Sequence, residues 1–79
     1  MNLSLKQLSP GDRAVVKQVT AKGQIRRRIV DMGVVPGVEV EMERSAPLGD
    51  PVEIKIDSYH LALRKEEADA ITVELLSVV

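Results

Sequence analysis

Residues 38–57, VEVEMERSAPLGDPVEIKID, decide the fold. Val38, Val40 and Met42 alternate with Glu39, Glu41 and Glu43, and Val52, Ile54 and Ile56 alternate with Glu53, Lys55 and Asp57. A period of two means one dry face and one wet face, so these are two strands of a hairpin joined by the connection 46–51. Both inward sets fall on even numbers. Residues opposed across the pair must then sum to an even number, because a one-residue slip would turn every apolar side chain outward. The two plausible registers place Lys55 opposite Glu41 or Glu43.

Working outward, residues 59–64 extend the pattern with Leu61 and Leu63 inward and His60, Ala62 and Arg64 outward. Residues 65–69 read as one polar helical turn, and Ile71, Val73 and Leu75 as a closing strand. Upstream, residues 13–20 are rich in valine and have strand length, preceded by a turn at Ser9-Pro10-Gly11-Asp12. Leu3, Leu5 and Leu8 form an apolar fringe at the start. Between about 22 and 32 the period changes: Ile25, Ile29 and Met32 make one narrow helical stripe. Gly33 stands where a C-terminal cap glycine belongs, and Pro36-Gly37 suits a type II turn. The expected architecture is mainly β, a small barrel of five to six short strands with one early α-helix and one short helical turn.

Residues 1–79 supply one core and no second domain. The interior must be aliphatic, since the chain has one Tyr and neither Phe nor Trp. With no cysteine, disulfides, thiolate metal sites and cysteine nucleophiles are excluded. A small chain without disulfides points to an intracellular setting, and no apolar run is long enough for a membrane span or a signal peptide. The formal net charge of −1 argues against electrostatic binding of nucleic acid.

Candidate chemistry is sparse. His60 is the only histidine, and neither a general base nor a metal site is built from one imidazole. Glu39, Glu41 and Glu43 form a row along one strand face, whereas specific cation sites need ligands converging from several directions. Arg26-Arg27-Arg28 is the densest positive charge, although three consecutive helical residues fan over about 200°. Arg27 is placed to pair with Asp31, and the stem of Arg28 to cover the apolar stripe. Leu48, on a proline-stiffened tip, has no inward place and offers an apolar anchor. No phosphate-binding loop, dinucleotide fingerprint or nucleophile elbow occurs, so no enzyme and no cofactor are expected. Arg26, Arg27, Arg28 and Leu48 are therefore the candidate partner-docking residues.

Three segments carry a resemblance. Residues 28–37, RIVDMGVVPG, resemble the R-L-x-x-M-G-x-x-P-G stretch of the FeoA family, small proteins that accompany bacterial ferrous iron transport. Residues 46–51, APLGDP, match that family's loop letter for letter. Residues 61–73, LALRKEEADAITV, are similar to its L-x-L-R-x-x-E-A-x-x-I-x-V ending. The family-motif positions are Met32, Gly33, Pro36, Gly37, Ala46, Pro47, Gly49, Asp50, Pro51 and Arg64. Ile29 stands where leucine is usual. Ser58 stands where glycine is frequent, which predicts a looser turn at 57–60.

The resemblance implies an SH3-like barrel and a cytoplasmic accessory that interacts with FeoB, a GTP-hydrolysing ferrous iron permease. It would reach the inner face of the membrane only through that partner, as a monomer or weak dimer. Two alternatives belong to other classes: a metal-binding or metal-carrying protein using Asp57, His60 and the glutamates, and a nucleic-acid-binding barrel.

Overall fold

The two alternating runs lie side by side in the computed structural model, which describes residues 2–45 and 50–76. Among the described residues, six strands form one antiparallel sheet: β1 (Asn2–Ser4), β2 (Arg13–Val19), β3 (Glu39–Ser45), β4 (Val52–Ile56), β5 (Tyr59–Leu63) and β6 (Ile71–Leu75). Their spatial order is β1-β6-β2-β3-β4-β5. Two helices interrupt them, α1 (Gly23–Asp31) after β2 and the short α2 (Lys65–Asp69) after β5. The sheet curls around an almost wholly aliphatic core in which Val16, Val40, Met42, Ile54, Ile56, Leu63, Ile71 and Val73 are buried. The expected mainly β architecture is the observed one.

The even-sum register holds at Val40↔Ile56, Glu41↔Lys55 and Met42↔Ile54, so Lys55 faces Glu41. It fails beyond Glu43, where a bulge shifts the pairing to Arg44↔Glu53 and Ser45↔Val52. A second bulge, at Lys17, separates Val16↔Val73 from Gln18↔Thr72 in the β2–β6 pair. That extra residue changes the phase of β2, so the buried side chains are Ala14 and Val16 and then Val19. Each bulge bends its strand and increases the local twist, which lets a six-stranded sheet wrap on itself.

The opening leucines are more than a fringe. β1 pairs with β6, and the 3₁₀ turn Leu5–Gln7 that follows drives Leu5 and Leu8 into the core. The Gln7 side chain accepts a hydrogen bond from the Ser4 amide at 2.8 Å and holds that turn. Val35-Pro36-Gly37-Val38 closes as the expected type II turn, with a Val38 N–H to Val35 carbonyl bond of 3.2 Å and Gly37 at φ +97°. The β4–β5 turn stays at two residues, since Ile56 pairs with Tyr59. The expectation of a looser turn is corrected: Asp57, not Ser58, takes the left-handed conformation, at φ 52°. Aspartate tolerates that region better than most residues.

Candidate docking face

The helix α1 is anchored by its C-terminal end. The Val34 N–H bonds the Ile29 carbonyl at 3.2 Å, and the Gly33 N–H bonds the Val30 carbonyl at 2.9 Å, with Gly33 at φ +93°. This is a complete Schellman cap, and Ile29 and Val34, its hydrophobic pair, are both buried. Tyr59 lies against Gly33 and donates its hydroxyl to the Met32 carbonyl at 3.1 Å. The N-terminal end is different. Lys22 offers no capping side chain, and no acidic residue occupies the first turn.

Of the predicted stripe, Ile29 is buried and Met32 half-buried, but Ile25 is 44% exposed. The stripe fails at Ile25 because the last turn seats the helix, and the first turn is left outside. Val30 is exposed as well.

The three arginines do three different things. Arg26 Nη1 donates to the Val19 carbonyl at 2.9 Å, tying α1 to the end of β2. Arg28 Nε meets Glu67 Oε2 at 2.6 Å. Among the described residues, Arg27 makes no ion pair or side-chain hydrogen bond, and the expected pairing with Asp31 is not formed. The Glu67 carboxylate fixes the Arg28 guanidinium between α1 and α2.

Glu67 is the residue that pattern reading missed. Its side chain is 4% exposed, and its second oxygen accepts the Arg64 amide at 2.9 Å. One buried carboxylate thus joins α1, the end of β5 and α2, with both oxygens satisfied. The signal was present as spacing, since a Glu three residues after the residue preceding a helix is the second half of a capping box. Arg64 fills the capping position through its backbone, and Asp50 Oδ1 receives the Lys65 amide at 3.1 Å. The 46–51 connection is therefore attached to α2 at its far end, where the Asp50–Pro51 peptide is cis. Ala46, Pro47, Leu48 and Gly49 lie outside the described residues.

Two shallow hollows flank Arg27. One, of about 530 Å³, is lined by Gln24, Arg27, Arg28, Asp31 and Met32. The other, of about 350 Å³, is lined by Gly23, Arg26, Arg27, Val30 and Asp31.

Across the molecule, the outer sheet face carries the glutamate row. Glu39 is bonded to Arg13, Glu41 opposes Lys55, Glu43 contacts His60 Nδ1 and Arg44 pairs with Glu53 at 3.5 Å. The glutamates of the row each meet a different neighbour instead of converging. Among the described residues, no three His, Cys, Asp or Glu side chains gather as a metal site would require. Among the described residues, no helix is long and apolar enough to cross a membrane.

The FeoA domain family matches residues 3–75. The chain is 43% identical over 75 residues to the Fe(2+) transport protein A/Fe(2+) transporter FeoB fusion protein of Porphyromonas gingivalis, a match that covers 95% of this chain and 9% of the fusion protein. Among solved structures, the FeoA-like protein of Clostridium acetobutylicum superposes with a TM-score of 0.88 at 36% identity, covering 99% of this chain and 91% of that one. The zinc-complexed FeoA of Stenotrophomonas maltophilia, a prokaryotic SH3 domain protein, has a TM-score of 0.79 at 33% identity and covers 91% and 89% of the two chains.

Proposed function

The chain belongs to the FeoA family, and on that premise we propose that it is a non-catalytic, cytosolic accessory of ferrous iron uptake that docks onto the GTP-hydrolysing cytosolic region of a FeoB-type transporter. The observation that carries this reading is the P. gingivalis relative, in which a stretch like this chain shares one polypeptide with FeoB. Covalent linkage raises the effective concentration of one module at the other, which is useful only where the two associate. The molecule itself supplies a suitable body: an aliphatic core, a rigid curled sheet and a helix whose outer side is left uncovered.

The test is titration of the labelled chain with the purified cytosolic region of its FeoB partner, with and without guanine nucleotide. Saturable amide shifts on this chain support docking. Unchanged spectra at high partner concentration overturn it.

A second reading, metal binding, is favoured by the zinc in the S. maltophilia structure. In this chain, Glu39, Glu41 and Glu53 already face Arg13, Lys55 and Arg44, which leaves Glu43 beside His60. Calorimetry with ferrous iron and with zinc separates the two readings, since a carrier takes up one equivalent tightly and a docking module does not. For nucleic acid, the net charge of −1 leaves no excess of cations to displace counterions.

A further inference from the structure

The three arginines of α1 are adjacent in sequence, but two of them are already engaged. Arg26 is held by the Val19 carbonyl and Arg28 by the buried Glu67. A partner that took either would have to compete with a bond inside the fold. Arg27 is exposed and makes no such bond among the described residues. It also sits where both hollows of the helix meet, with Met32 in one and Val30 in the other.

We infer that the outer face of α1, centred on Arg27, is the recognition surface, and that its occupant is an acidic amphipathic segment of a protein. Such a segment places a carboxylate on the Arg27 guanidinium and an aliphatic side chain in each flanking hollow. Three observations favour that chemistry. A guanidinium presents a planar fork that matches a carboxylate in bidentate geometry. The surrounding charge is positive: Lys22, Arg26 and Arg27 against Asp31, with Arg28 offset by Glu67. The apolar surface is real too, since the exposed Val30 lines one hollow and the half-buried Met32 lines the other. A nine-residue helix presents a ridge of about 13 Å, which suits one or two turns of a partner helix or a short extended stretch.

This inference rests on the docking reading for the identity of the natural partner, but its chemistry can be tested without that partner. Two probes are titrated into the ¹⁵N-labelled chain: the FeoB cytosolic region, and a synthetic amphipathic helical peptide of alternating Glu- and Leu-bearing turns. Each is repeated with Arg27→Glu and with Lys55→Glu, a charge reversal on the far sheet face.

The expected result is shifts confined to residues 22–33. Arg27→Glu should weaken binding at least tenfold with an unchanged melting temperature, and Lys55→Glu should change it less than threefold. If both reversals weaken binding equally, or the shifts fall on β3 and β4, the inference is overturned while FeoB docking stands. Peptide binding through Arg27 without FeoB binding upholds the surface and overturns the choice of partner. Failure of both probes overturns both.

Discussion

The outer face of α1 and the outer face of β3, β4 and β5 are both densely charged, yet they behave in opposite ways. On the sheet, each acid has a base as its neighbour: Glu39 with Arg13, Glu41 with Lys55, Glu43 with His60 and Glu53 with Arg44. These exposed pairs are each worth little, but each holds its acid against a neighbouring side chain of the same sheet. The helix has exposed aliphatic side chains, an uncapped N-terminus and an arginine with no partner among the described residues. Charge density alone would have ranked the two faces together. What separates them is whether the charges are already satisfied within the fold.

If the apolar packing of α1 is concentrated at its C-terminal end, truncations along it should be strongly unequal. Ile29 is fully buried, so Ile29→Ala should cost about 3 kcal/mol in urea unfolding. Ile25, on the same sequence stripe, should cost less than about 0.5 kcal/mol. Equal losses would mean that the helix packs along its whole length, and the contrast between the faces would collapse.

The next effect comes from the cap. A Cβ on Gly33 would lie 2.6 Å from the Tyr59 hydroxyl, at a backbone φ of +93°. Gly33→Ala should destabilise by about 2 kcal/mol through left-handed strain and the loss of the tyrosine contact. Adding Tyr59→Phe removes the clashing atom, so the double variant should be less destabilised than the sum of the single changes. Simple additivity would show that the cost is all backbone strain.

The arginines give a third, smaller contrast. Arg28→Ala leaves the buried Glu67 carboxylate with one partner, and because Arg28 is itself 54% exposed the cost is discounted to about 1–2 kcal/mol. Arg27→Ala should change stability by less than about 0.5 kcal/mol. Thermal unfolding of the two variants side by side checks this. A stability loss at Arg27 equal to that at Arg28 would place it in the fold and not on its surface.

These contrasts also mark where the sequence was readable. Strands with strict alternation, such as Val52-Glu53-Ile54-Lys55-Ile56, were legible because burial on one face imposes a period of two. Pro36-Gly37 and Gly33 were legible because few residues accept their backbone angles. The bulges at Lys17 and Glu43 were not, since one extra residue disturbs the alternation only locally, and lysine and glutamate carry no local signal of it. β1 was missed because three residues have too few positions to show a period. Its strand character comes from pairing with β6, more than sixty residues away. The uneven use of the three arginines depends on which way each side chain turns around α1, and the partners that settle it, Val19 and Glu67, lie on other elements.

The smallest expected effect sharpens the sheet side of the comparison. In the β4–β5 turn, Asp57 holds φ 52°, while Ser58, where the family resemblance leads one to look for glycine, does not have a positive φ. Glycine at position 57 would relieve the left-handed cost but would also loosen the unfolded chain, so the two terms largely offset. Asp57→Gly should therefore stabilise by no more than about 0.5 kcal/mol. Ser58→Gly brings only the entropic loss at a residue without strain, so it should be neutral or slightly destabilising. Denaturant midpoints of the two variants distinguish these signs. Stabilisation by Ser58→Gly alone would mean that the turn takes its positive φ at the second position, and the outer-face register running from Asp57 through His60 would have to be redrawn.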